Sequence, residues 1–192
     1  METLDGLPLL GFAEPEGLEA WLEEHHGTAP GAWLKLAKKG SGIPSPTSDE
    51  VNDAALCFGW ITGLRRSYDD VYYLQKITRR RPRSTWSQVN IDKVESLTAA
   101  GRMREPGLAE VAAARADGRW DAAYASQRDA TVPADLAAAL EANTPARKTF
   151  EGLGRSDRYM VILNLLKATT PRTRAARLDR MIATLAAGEK VR

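Results

Sequence analysis

Residues 57–90 read CFGWITGLRRSYDDVYYLQKITRRRPRSTWSQVN, and this stretch decides the fold. Two runs rich in aromatic and β-branched residues, 60–68 and 71–78, flank Asp69-Asp70, which predicts two paired strands. An Asp-Asp pair is a weaker hairpin signal than Asn-Gly, so the turn type stays open. Pro82, with no amide to donate, closes the second strand. Just upstream, Thr47 followed by Glu50 forms a capping box. It opens a helix with Val51, Ala54, Ala55 and Phe58 on one face, stopped by Gly59. Residues 32–39, with Trp33, Leu34 and Leu36, predict a strand that ends in Gly40-Ser41-Gly42. Residues 14–26 predict a first helix, with Pro15 in its first turn and Leu18, Trp21 and Leu22 at helical spacing. Downstream, Asn90 is the predicted N-cap of a helix that carries Val94 and Leu97 and closes at Gly101. Helices interleaved with a strand pair give an α+β fold, a small antiparallel-rich sheet packed by helices.

From Pro106 onward the chain becomes alanine-rich and helical. Helices are predicted over 108–117, 133–141, 145–153, 156–167 and 171–187. Pro133, Pro145 and Pro171 mark starts, while Gly118, Gly154 and Gly188 mark stops. The expected division is an α+β core over 1–118, a linker over 119–131 and a helical C-terminal region over 132–192.

At 43% hydrophobic and 27% charged, the composition is that of an ordinary globular protein, neither disordered nor membrane-like. The single cysteine, Cys57, has no partner for an intramolecular disulfide, which argues against a disulfide-built secreted scaffold. Residues 1–10 carry Glu2 and Asp5 and lack the basic start of a signal peptide. With no apolar run of about 18 residues, no membrane span is expected. The expected address is the cytoplasm. Net charge is only +2, so the average gives no sign of polyelectrolyte binding. The charges are clustered instead: Arg79, Arg80, Arg81 and Arg83 stand together, and Arg172, Arg174, Arg177 and Arg180 form a second set.

Strand alternation puts Arg79 and Arg81 on one face and Arg80 on the other. Guanidinium groups grip carboxylate or phosphate with two parallel hydrogen bonds, so this strand end is a candidate anion site. The predicted ligand pocket comprises Lys39, Trp60, Arg79, Arg81, Ser84, Trp86, Ser87 and Asn90. Its expected occupant is a small anionic or peptide-like ligand. A single nucleic-acid strand, stacked on Trp86 and Tyr72, is the alternative. Cys57 is expected to be core, because the only histidines, His25 and His26, lie on a different helix. Glu19, Glu23 and His26 share a helical face at metal-ligand spacing, but one exposed helix face is expected to be merely solvated. Gly40-Ser41-Gly42 is expected to lack the following helix, and lacks the Lys-Ser/Thr signature, of a phosphate-binding loop. No catalytic residue, metal or cofactor is expected, and binding is favoured over catalysis. Arg174, Arg177 and Arg180 are expected on the outer face of an amphipathic helix whose Leu178, Met181 and Leu185 dock inward.

Lys38-Lys39, the run Ala55 to Gly63, Arg79-Arg80-Arg81, and Ser84, Trp86, Ser87 and Asn90 form a linked set of motifs. Gly101-Arg102-Met103, Gly107-Leu108, Gly118-Arg119-Trp120 and Thr173-Arg174 with Arg177 continue it. Together they resemble the YdeI/OmpD-associated (bacteriocin-protection, OmdA-like) family. Thr62 replaces the family's usual Asp, and a proline usual at position 79 is absent. The resemblance implies a compact α+β domain related to the frataxin-like iron-chaperone fold, with a helical tail. It also implies a link to protection against bacteriocins, antimicrobial peptides or other stress, and leaves iron association as a further alternative. With Thr62 in place of a carboxylate, acid–base or metal chemistry at that position is weakened.

Overall fold

The computed structural model describes residues 2–126, 129–168 and 170–191. The chain divides into two compact units, residues 1–86 with 90–122, and residues 87–89 with 123–192. The linker expected over 119–131 includes residues 127 and 128, which lie outside the described residues.

In the first unit the elements run β1 (Thr3–Leu4), β2 (Leu7–Leu10), α1 (Pro15–His25), β3 (Gly31–Ala37), α2 (Ser48–Cys57), β4 (Trp60–Ser67), β5 (Tyr72–Arg79), α3 (Gln88–Ala99) and α4 (Glu105–Ala116). The strands form one sheet in the order β1-β2-β3-β5-β4. Only β2 and β3 run parallel, joined through α1, and the other pairs are antiparallel. The α+β class and the strand pair around Asp69-Asp70 therefore stand. The β1–β2 hairpin was not among the predicted elements. It turns on Asp5-Gly6, whose φ angles of 51° and 75° suit the two-residue turn that Asp-Gly favours.

Register sorts the sheet into two faces. Trp60 and Thr62 of β4 lie across from Arg79 and Ile77 of β5, and Ile77 pairs with Ala32 of β3. This face receives the helices: the indoles of Trp21 and Trp60 meet edge to face at 5.9 Å, and Asn52 of α2 accepts from the Thr62 hydroxyl. Leu18 and Leu22 of α1 and Val51, Ala54 and Ala55 of α2 are buried in the core. The other face holds a smaller cluster of Leu7, Trp33 and Leu74. Trp33 is 0% exposed there because Arg66 and Lys76 lie over its ring, at 4.7 and 5.5 Å.

The predicted capping box of α2 is present: Glu50 N donates to the Thr47 hydroxyl, and Glu50 Oε2 accepts from Thr47 N at 2.7 Å. Asn90 is not an N-cap. The α3 helix begins at Gln88, so Asn90 sits in its first turn, where its Oδ1 accepts from Asn52 Nδ2 at 3.2 Å. Lys93 joins α3 to α2 through Asp53 and Asp49, at 2.6 and 2.9 Å.

The second unit contains α5 (Ala134–Glu141), α6 (Thr144–Gly152), α7 (Arg155–Leu166) and α8 (Pro171–Ala186). Its core collects Leu136, Leu140, Phe150, Val161, Leu165, Met181 and Leu185. As expected, α8 docks by its apolar stripe. Its arginines are not all on an outer face, however. Arg174 forms a two-pronged ion pair with Asp135 at 2.6 and 2.9 Å and also donates to Leu165 O. Arg177 donates to Asn164 O at 2.6 Å. Both therefore bring positive charge to the carbonyl end of α7, where helix ends favour it. That explains Thr173-Arg174-x-x-Arg177 as a clasp between α7 and α8, with Thr170 capping α8.

Hydrogen bonds from Arg174 hold the Asp135 carboxyl below the usual aspartate range. A depressed folded pKa adds stability above the unfolded carboxyl pKa and loses it as pH falls through the folded value. Asp135→Asn is therefore expected to weaken hydrogen-exchange protection in α5 and α8 at neutral pH. The gap from wild type should close as pH drops below the ordinary aspartate pKa of about 3.9. A gap that persists unchanged at strongly acid pH contradicts the role of this ion pair.

Candidate functional site

The residues expected to form one pocket fall in separate places. Trp60 is buried in the core, its Nε1 donating to His26 O at 3.3 Å. Arg79 is exposed and donates from Nε to Ala29 O at 3.0 Å. Arg81 and Ser84 share a tight turn: Arg81 N donates to the Ser84 hydroxyl at 3.0 Å, and Ser84 N donates to Arg81 O at 2.9 Å. Ser87 bridges in parallel to Tyr124 within the second unit. Lys39 follows the far end of β3, where Ala37 pairs with Tyr72. The Trp60–Arg79 end is marked by the pairing of Gly31 with Thr78, about 20 Å away along the strand at 3.3 Å per residue.

Arg80, placed on the opposite face from Arg79 and Arg81, is the buried member of its cluster, at 5% exposure. Its guanidinium lies 3.7 Å from the Trp86 ring and donates to Thr85 O at 3.1 Å. Trp120 packs on Trp86 with centroids 5.0 Å apart, and Arg119 donates to Ser84 O at 3.1 Å. Gly118-Arg119-Trp120 and Ser84-x-Trp86 are thus one packed assembly. Trp86 is buried within it and has no open ring face for a base.

The Glu19–Glu23–His26 face is ion-paired. Arg102 meets Glu19 at 2.7 Å and Arg104 approaches Glu23 at 3.8 Å. Among the described residues no group of three or more His, Cys, Asp or Glu side chains is placed to hold a metal ion. Cys57 is buried, and desolvation pushes its thiol up to about 11, so little thiolate forms at neutral pH.

A different arrangement gathers cations at the Lys39 end of the sheet. Because β5 lies between β3 and β4, the ends of the two outer strands stand two strand spacings apart, about 10 Å. There Lys38 and Lys39 face Arg65 and Arg66 around a groove of about 740 Å³. The turn at Gly40 and Gly42, with φ of 87° and 72°, carries the chain over the groove and into α2. Ser45 anchors this strap by accepting from Ala37 N at 3.1 Å. A helix therefore does follow Gly40-Ser41-Gly42, and the N-terminus of α2 opens on the groove at Thr47 and Ser48.

Three of the four cations are held in place. Arg65 donates from Nε to the buried Gln75 at 2.7 Å and from Nη2 to the Ser48 hydroxyl, and lies 5.1 Å from the Tyr73 ring. Gln75 is oriented in turn by donating to Gly63 O at 3.0 Å. Arg66 pairs with Asp5 at 2.9 Å, and Lys38 donates to Asp69 O at 2.7 Å. Lys39 is exposed and has no ion pair among the described residues. None of the lining residues is His, Cys, Asp or Glu, so the charged groups that the groove offers are ammonium and guanidinium donors. Of these four cations, sequence reasoning selected only Lys39.

Among the described residues no helix is long and apolar enough to cross a membrane. Residues 10–110, more than half of the chain, match a family model described as a domain of unknown function (DUF8412). Residues 129–188 match a second model, described as Bacteriocin-protection, YdeI or OmpD-Associated. Most motifs quoted for that family fall in the first match, and Thr173-Arg174 with Arg177 falls in the second. Neither the curated proteins nor the solved structures gave a match. The chain belongs to the family defined by that domain of unknown function, and its helical C-terminal unit carries the YdeI/OmpD-associated domain.

Proposed function

We propose that the protein is a cytoplasmic binding protein that captures a small anionic or peptide-like ligand in the groove between Lys38-Lys39 and Arg65-Arg66. One observation carries this: four cationic side chains line the groove and no carboxylate does. Asp5 offsets Arg66, but Lys38, Lys39 and Arg65 have no carboxylate ion pair among the described residues, and like charges held together make sense where an anion offsets their repulsion. The bacteriocin-protection description of the C-terminal match supports a protective role for the capture.

Bacteria that depend on this protein for survival of a bacteriocin or antimicrobial-peptide challenge provide the test. Lys39→Glu should abolish protection while the purified variant keeps its circular dichroism and melting temperature. Full protection by that variant sinks the proposal.

A further inference from the structure

The distribution of charge and apolar surface narrows the ligand class, and this step rests on the anion-binding groove proposed above. Arg65 and Arg66 are neighbours on one strand, as Lys38 and Lys39 are neighbours just past another. Adjacent strand residues point to opposite faces, so Arg65 and Arg66 reach the groove from opposite sides of the sheet end. Arg65 stands on the face of Gln75, whereas Arg66 stands with Trp33. Such spread charges cannot all close on one carboxylate. They match an anion with charge distributed over several oxygens along its length. The hydroxyls of Ser41 and Ser67 add neutral donors suited to phosphoryl oxygens.

The remaining lining is apolar. Ile43 stands 41% exposed on the strap above the groove, with Pro46, Ala37 and the Tyr73 ring. An exposed isoleucine beside four cations suits a ligand with an apolar or planar body next to its charged end. We propose that the groove binds an organic diphosphate, its two phosphoryl groups among Lys38, Lys39, Arg65 and Arg66 and its body against Ile43 and Tyr73. Nucleoside diphosphates and prenyl diphosphates share this chemistry.

Isothermal titration of the full-length protein tests the proposal with ADP, geranyl diphosphate, inorganic pyrophosphate, inorganic phosphate and succinate at low salt. Pyrophosphate should bind at one site at least about tenfold more tightly than phosphate or succinate, because it engages more of the cations. ADP or geranyl diphosphate should exceed pyrophosphate by about fivefold, and whichever does so identifies the kind of body. Ile43→Ser should erase that advantage and leave pyrophosphate binding unchanged, whereas Lys39→Glu should weaken all three diphosphates together. Succinate or phosphate binding as tightly as pyrophosphate overturns the diphosphate assignment while leaving an anion groove. Neither organic diphosphate exceeding pyrophosphate overturns the apolar-body assignment. Diphosphate binding as tight in Lys39→Glu as in wild type overturns the location, and no binding by any of the five probes overturns the groove reading itself.

Discussion

Gly107→Ala is expected to destabilise the first unit by about 3 kcal/mol or more, near the upper end of what overpacking a rigid contact costs. A Cβ at position 107 would stand 2.3 Å from Cys57 O and 2.7 Å from Leu56 O. Both are backbone atoms at the end of α2, and neither can swing aside. The same crossing is tight from the other side, since a Cβ on Gly59 would lie 2.9 Å from Pro106 O. Gly59 also has φ of 72°, which a side chain would strain. The closeness has a use: Arg104 N donates to Cys57 O at 3.1 Å, bringing the positive start of α4 to the negative end of α2. The tryptophans at 21, 33, 60, 86 and 120 all lie in the first unit, so their fluorescence during denaturation reads this cost. Gly27→Ala, where a Cβ meets nothing within 4 Å, should stay within about 0.5 kcal/mol of wild type. Equal effects at the two positions would contradict the packing account.

The second large effect is on binding. Reversing both lysines with Lys38→Glu and Lys39→Glu should weaken capture of a multivalent anion by about a hundredfold or more at low salt. Each lost charge-assisted hydrogen bond is worth roughly 1.5–3 kcal/mol, and the new carboxylates repel the ligand. The loss should shrink as salt rises, because both lysines stand at the rim, within reach of solvent screening. Stability should change little, since Lys38 gives up a hydrogen bond to Asp69 O and a solvent-screened attraction to the Asp69 carboxylate, and Lys39 has no ion pair among the described residues. Arg81→Glu, at the other end of the sheet, should leave binding within about twofold, the scale of unrelated surface changes. If Arg81→Glu abolishes binding and the lysine reversal does not, the anion site lies with the Arg79–Arg83 cluster.

The local signals were legible in the sequence. Thr47 with Glu50, the aromatic runs around Asp69-Asp70, and the proline and glycine punctuation of the second half each act within a few residues. They gave the class and most of the elements. Asp5-Gly6 is a usable hairpin signal beside Leu4, Leu7 and Leu9. The site was less legible, because it depends on strand order. The pattern of residues 60–78 announces that β4 and β5 pair, but not that β3 pairs with the other edge of β5. Only that neighbourhood sets Lys38-Lys39 beside Arg65-Arg66. The Arg79–Arg83 cluster drew attention by its density, yet its members separate once alternation and the Pro82 turn act. Arg80 goes under to cover Trp86, Arg79 turns to Ala29 O, and Arg81 stays in solvent. Burial of Trp60 and Trp86 was equally hidden, since an aromatic at a strand end serves a core and a ligand wall alike.

Amide chemical-shift mapping during a pyrophosphate titration tests the groove most directly. Saturable shifts should appear at residues 38–48 and 65–67, with none of comparable size at 79–90, and Lys39→Glu should need markedly more pyrophosphate to reach saturation. Shifts centred on 79–90, or no saturable shift at all, would contradict the account.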